Sequence, residues 1–250
     1  MALVHSFEKN GNKLFKYRGQ IPVILFVLAV PVIYFTDVSC IMKNDKLYYI
    51  LLGVAIAMSI AGQVIRAIAI GTSNKNTSGR NTSEGQVAEA LNTKGIYSTV
   101  RHPLYLGNYF MWIGIVAFTF NIYFFIIVSL LFWLYYERIM FAEERFLERK
   151  FGEAYVTWSN RVSAFWPSMK NYEKGDISFS MKTILRREYA GVSATAIGFI
   201  FVAYVREWTM TGKVPLDLKY AYWLAGALLF SLIFRTLKHN TKILFEEDRS

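Results

Sequence analysis

The sequence predicts an all-α, multi-span integral membrane protein, on three observations. Of 250 residues, 54% are apolar and 17% aromatic. Those residues fall in long blocks rather than along one face of amphipathic elements. The cationic residues are concentrated in alternate connecting segments, as they are when a chain threads a bilayer.

Residues 1–20 are largely polar and precede the first block with no small-residue cleavage site, so they read as a retained cytoplasmic segment. The apolar blocks are residues 21–35, 47–70, 104–119, 122–136, 189–205 and 220–237. Each is near or somewhat below the roughly 20 residues that a helix needs to cross hydrocarbon, so about six transmembrane helices are expected. One helix over residues 103–136 fails on length, since about 1.5 Å per residue overshoots a roughly 30 Å core. A tight hairpin near Asn121 is expected instead. Residues 21–167 then form the membrane core, and residues 168–250 a C-terminal extension with two further transmembrane helices.

Charge sets the orientation. With both termini in the cytoplasm, segments 1–20, 66–101, 138–187 and 235–250 hold 23 of the 28 Lys and Arg residues. The net charge of +10 then lies mainly on the cytoplasmic surface, where anionic lipid heads account for it. No nucleic-acid motif accompanies that charge, and no nucleic acid is expected as a partner.

Several chemistries are excluded. Cys40 is the only cysteine, so neither an internal disulfide nor a thiolate cluster is available. His5 and His239 sit in the two polar tails, far from His102, and no metal site is expected. The Asn-x-Ser sequons at Asn76 and Asn81 fall in a Ser/Thr/Asn-rich linker on the cytoplasmic side, where they are passive. Neither G-x-G-x-x-G nor G-x-x-x-x-G-K-[ST] occurs, so a nucleotide-like cofactor has to be held by side chains and helix ends. Within the linker, residues 72–83 read as a solvated loop and residues 84–94 as a short helix closed by Gly95, lying across the mouth of the bundle.

Two clusters remain to be explained. In "GIYSTVRHPLYLGN", residues 95–108, Pro103 starts a helix at no cost, because the N–H it lacks has no partner in a first turn. Arg101 and His102 therefore flank the positive end of that helix and build an anion site. Tyr105 adds an aromatic surface, Gly107 a place for close backbone approach, and Asn108 an amide donor. In "EERFLERKF", Glu144 precedes Glu148 and Arg145 precedes Arg149, like-charge pairs that a merely solvated helix avoids. The acids thus have another task. Adjacent Glu143 and Glu144 differ by about 100° around a helix, so one aims at a ligand while the other braces it. The flanking Phe141, Phe146, Leu147 and Phe151 face lipid or protein in a surface helix that follows the fourth span. Arg66, the lone charge of the second block, is the spare counter-charge near the cytoplasmic end.

Taken together, Gly62, Arg66, Gly71, "GIYSTVRHPLYLGN", "EERFLERKFGEAYVTW", Val162 and Pro167 resemble the isoprenylcysteine carboxyl methyltransferases and the related phospholipid methyltransferases. The likeness covers about residues 50–167, the methyltransferase core it implies. It implies S-adenosylmethionine bound at the cytoplasmic face, a lipid or lipidated substrate entering from the bilayer, and cofactor contacts from Tyr97, Arg101, His102, Tyr105 and one of Glu143 or Glu144. Pro103 and Gly107 are carried as further cofactor contacts, and Arg101, Arg66 and Glu144 as the catalytic set. Trp158 stands where many relatives have tyrosine, and residues 168–250 lie outside the pattern.

The chemistry agrees with the residue types. A cofactor carboxylate suits Arg101 and the helix end, an ammonium and ribose suit a glutamate, and an adenine stacks on tyrosine. Transfer to an anionic phosphate or carboxylate oxygen needs no base, so positioning and dehydration suffice. Two other readings are weighed. A membrane NADPH-dependent sterol-type reductase shares an Arg-His-x-x-Tyr element but lacks the Glu-Glu pair, and a transporter would need midmembrane charge that spans three and four do not carry.

Overall fold

The computed structural model describes residues 2–20, 22–73, 77, 81–82, 85–86, 88–247 and 249. Helix α1, Leu3–Tyr17, carries its charges on one side and buries Gly11 and Phe15 on the other. Helix α2, Val23–Phe35, is apolar throughout, and α3, Ser39–Met42, is a single turn before the next span. Helix α4, Asp45–Gly71, is started by the Asn44 side chain, which accepts from the Leu47 N–H. After a two-residue antiparallel pair, Asn81–Thr82 with Gly85–Gln86, a 3-10 turn at Gly95–Ser98 leads to α5, Pro103–Ala117. Helix α6, Ile122–Phe151, begins at Asn121, whose side chain accepts from the Phe124 N–H at 2.8 Å. Helix α7 is Glu153–Ser159. Helix α8, Met181–Thr211, ends on Gly212 at φ +66°, a left-handed cap that glycine adopts without strain. Helix α9 is Leu218–Asn240.

Each apolar block of the sequence folds as one helix, and the molecule is an integral membrane protein. Among the described residues four helices, α4, α6, α8 and α9, are long and apolar enough to cross a membrane. The other two apolar helices, α2 with 13 residues and α5 with 15, fall short of the roughly 20 residues of a full crossing. Ile21, at the start of the first block, lies outside the described residues. The turn joining α5 to α6 closes as expected near Asn121, with Phe120 at φ +60°. Arg206 of α8 supports that turn from inside. Its guanidinium lies between the rings of Phe118 and Phe120, 4.4 and 4.3 Å from their centres, and donates to the Phe118 carbonyl.

Two sequence expectations are corrected. The charged stretch after the fourth block is no separate surface helix but the continuation of α6, because nothing between Tyr136 and Phe151 breaks the helical pattern. At about 1.5 Å per residue, the 30 residues of α6 reach well past a roughly 30 Å core. The described residues of segment 84–94 do not form a helix. Gly85–Gln86 is extended and residues 88–94 are loop, the rest lying outside the described residues along with Asn76 of the first sequon. That loop is tied laterally instead. Asn92 donates to the Thr77 hydroxyl at 2.9 Å, and the N–H of Gly95, at φ +61°, reaches the Glu173 carbonyl at 2.9 Å.

Helix α5 is the inner helix, packed among α4, α6 and α8 and burying most of its length. Its closest partner is α4. A Cβ at Gly62 would stand 2.5 Å from the Gly107 carbonyl and 2.6 Å from the Met111 N–H, so only glycine allows this crossing. Ser59 donates across it to the Met111 carbonyl at 2.9 Å. Helix α1 packs along α6, and α9 rests on α8 with none of its residues buried.

Candidate functional site

The site grows from the start of α5. Pro103 takes the first helical position and His102 precedes it with non-helical backbone. Segment 99–102 is held by the chain that follows α7. The Arg101 N–H donates to Ser163 at 2.9 Å, the His102 N–H to Ala164 at 3.2 Å, and the Ser168 N–H to Thr99 at 2.9 Å. Trp158 donates from its indole to the Tyr97 carbonyl at 3.2 Å and so fixes the turn that carries Tyr97.

From α6, the two glutamates meet this segment on either side of one imidazole. Nε2 of His102 lies 2.8 Å from Glu144 Oε1, and Nδ1 lies 3.6 Å from Glu143 Oε2. Glu143 also accepts from the Tyr105 hydroxyl at 2.8 Å, while Arg101 Nε stands 3.1 Å from Glu144. Arg101 donates further to the Ser159 carbonyl at 2.7 Å. Burial disfavours the charge on His102, but the two carboxylates outweigh it and hold the imidazole up to about 9. His102 is therefore a cation at neutral pH and Arg101 is another, matched by the two glutamates. Burial raises the Tyr97 phenol, opposed by a hydrogen bond from Ser73.

A cavity of about 320 Å³ opens beside this cluster, within the size range of small-ligand sites. Tyr97, Arg101, His102, Pro103, Tyr105 and Glu143 line it, as does Arg66. Glu144 is outside the lining and braces Arg101 and His102 from behind, so of the two adjacent acids Glu143 is the one that faces the space. Gly107 does not face the cavity either. Its missing side chain makes room for Arg66 and Gly62 of α4, so close approach at this glycine serves helix packing.

Arg66 is not a spare charge. Nε and Nη2 fork onto the Glu188 carboxylate at 2.6 and 2.8 Å, and Nη1 donates to Asn108 Oδ1 at 2.7 Å. Asn108 donates in turn to the Tyr136 hydroxyl at 3.0 Å, which links α8, α4, α5 and α6 in one polar chain. Sequence reasoning missed Glu188, which lies one residue before the fifth apolar block. A signal was present, since a lone arginine at a helix end inside the membrane calls for an acid at the same depth. Also missed were Phe15 and Arg18 of the N-terminal segment, both in the cavity wall. Further along α5 the lining turns apolar at Met111, Trp112 and Ile115, joined by Ala194 of α8. Among the described residues no group of three or more His, Cys, Asp or Glu could hold a metal ion.

Comparison with known proteins falls on the same residues. The phospholipid methyltransferase family model matches residues 49–154. Protein-S-isoprenylcysteine O-methyltransferase of Rattus norvegicus is 30% identical over 118 residues, 47% of this chain and 42% of that protein. Its counterpart in Tribolium castaneum is 27% identical over 120 residues, 48% of this chain and 43% of that protein. The cobalt-zinc-cadmium resistance protein CzcN of Cupriavidus metallidurans is 34% identical over 88 residues, 35% and 40% of the two chains. Each matched stretch spans under half of the relative's own length. No solved structure matches. The likeness read from the motifs is thus met by both comparisons: residues 49–154 match the phospholipid methyltransferase family model, and about half of the chain is similar to protein-S-isoprenylcysteine O-methyltransferases.

Proposed function

We propose that this protein is an S-adenosylmethionine-dependent membrane methyltransferase acting on an anionic oxygen, a phosphate or carboxylate, of a lipid or prenylated acceptor. The observation that carries the reading is one cavity with two unlike ends. Its polar end is built by Arg101, His102 and Glu143 from the family-matched segment, and its apolar end by Met111, Trp112 and Ile115.

The donor set fits the cofactor. Arg101 and the N-terminus of α5 suit its carboxylate, Glu143 its ammonium or ribose, and Tyr97 and Tyr105 give aromatic surfaces for adenine. When bound, the cofactor supplies an electrophilic methyl group on a sulfonium. His102, protonated between its two carboxylates, donates and positions and is not free to take a proton. That favours an acceptor that is already anionic over an amine that must lose a proton. Glu144 holds Arg101 and His102 in place. Arg66, aimed by Glu188 and Asn108, presents one edge of a fixed guanidinium to the acceptor region. What this chain's residues supply is alignment and exclusion of water, effects worth about 7 to 11 kcal/mol in well-oriented reactions.

Calorimetric titration of the full chain in detergent with S-adenosylhomocysteine and with NADPH tests the reading. S-adenosylhomocysteine binds and Arg101→Ala abolishes it with the fold retained. Binding of NADPH alone overturns the reading in favour of the reductase. For the acceptor, total lipid or prenylated peptide from cells with the protein should gain one methylene mass. Efficient methylation of a soluble anion without a lipid tail would sink the lipid assignment.

A further inference from the structure

A second hollow lies along a neighbouring face of α1. It is an open groove of about 640 Å³ bounded by Asn10, Lys13, Leu14, Tyr17 and Gln20, with Ile24 at the start of α2 and Arg138 of α6. Helix α1 is pressed onto α6 here, with Gly11 against the Arg138 backbone and the Tyr135 hydroxyl donating to the Leu14 carbonyl at 3.2 Å. The groove is therefore a fixed feature of the α1–α6 contact.

Its chemistry is one-sided. Lys13 and Arg138 are both cationic, Asn10, Gln20 and Tyr17 offer neutral donors, and no described lining residue is acidic. The guanidinium of Arg138 rests on the Phe7 ring at 3.3 Å, yet its Nη1 is buried with no hydrogen-bond acceptor, the Glu137 carboxylate standing off at 4.0 Å. Glu8, the acid on α1, is engaged by Arg149 at 2.6 Å. Two cations among neutral donors, with no acid among the described lining residues, ask for an anion. The position says which kind. The groove lies where the charged helix α1 gives way to the apolar α2, at the depth of lipid heads, and exposed Val23 and Val27 continue from Ile24 along α2 as a track for acyl chains.

We propose that this groove between α1, α2 and α6 binds the head of one anionic phospholipid, the phosphate held by Lys13 and Arg138 and the chains laid along Ile24. The site is separate from the catalytic cavity, but α1 is the wall they share, because Phe15 and Arg18 of that segment line the cavity. An occupied groove therefore braces one side of the cofactor chamber.

Native mass spectrometry of the full chain, titrated with phosphatidylglycerol, phosphatidylcholine or glycerol 3-phosphate, tests the site. One phosphatidylglycerol is retained in preference to phosphatidylcholine, and Lys13→Gln lowers that retention about fivefold, the loss expected from one cation near a lipid phosphate. Lys13 is exposed, so this variant keeps its fold, which unchanged S-adenosylhomocysteine binding checks. Lys170→Gln, in an exposed 3-10 turn elsewhere, leaves retention unaltered. The proposal is overturned by equal retention of the two lipids, by wild-type retention in Lys13→Gln, by an equal loss in Lys170→Gln, or by glycerol 3-phosphate binding as tightly as the lipid.

Discussion

Glu143 and Glu144 sit side by side in the sequence and do different things, one facing the cavity and one holding Arg101 and His102 from behind. Glu143→Gln should therefore weaken S-adenosylhomocysteine most by removing a direct partner, whereas Glu144→Gln should act by loosening Arg101 and should be the more destabilising in a thermal melt. The reverse ranking in both measurements would exchange their roles. His102 gives a pH signature. Its folded value, about 9, is raised above the ordinary 6.5, so its contribution to stability is complete below 6.5, shrinks as pH rises, and is gone above about 9. Melting temperature should follow that window in the wild type, and His102→Gln should flatten it. This cluster was legible in the sequence because Arg101, His102 and Pro103 are adjacent and the glutamates break the expected charge alternation. Which glutamate faces the ligand was not legible, because that depends on how α6 is rotated against α5. Glu188 was hidden for a related reason: it meets Arg66 only through the packing of two helices more than a hundred residues apart.

Between helices, contact is governed by small residues and, at the α4–α8 crossing, by the buried Arg66–Glu188 ion pair. Gly62→Ala should cost roughly 1 to 3 kcal/mol, since its Cβ would press on the Gly107 carbonyl and the Met111 N–H. Gly53→Ala on the same helix meets nothing within 4 Å and should be neutral or mildly stabilising, which thermal unfolding in detergent can compare. Glu188→Gln leaves the Arg66 guanidinium uncompensated and should destabilise by about 3 kcal/mol, with the Arg66→Leu/Glu188→Leu double variant less affected than either single one. An additive double variant would remove the coupling. Helices α4, α6, α8 and α9 were readable because apolar runs of their length have few alternatives. The continuation of α6 into the charged stretch was not, because a change of composition does not stop a helix that keeps its hydrogen bonds.

At the scale of the whole molecule, the charge pattern predicts an orientation that labelling can test. With Cys40 replaced by serine, a cysteine at the exposed position 213 should react with an impermeant reagent in intact cells, and one at exposed position 174 should not. Labelling at position 174 would invert the scheme. The outer half of the bundle has a different character from the inner half. Beyond Ile115 the interior is filled by Val116, Phe118, Phe124, Val128, Val202 and Val205. Arg206 is locked there against Phe118 and Phe120, and Asn121 donates to the Thr36 hydroxyl at 2.8 Å. The cavity is thus a dead end. Whatever the chamber admits must leave again without passing through that apolar outer half. A dead end is also an electrical insulator: proteoliposomes holding this protein should keep an imposed proton gradient as long as empty ones do, although the chamber is lined with charged side chains.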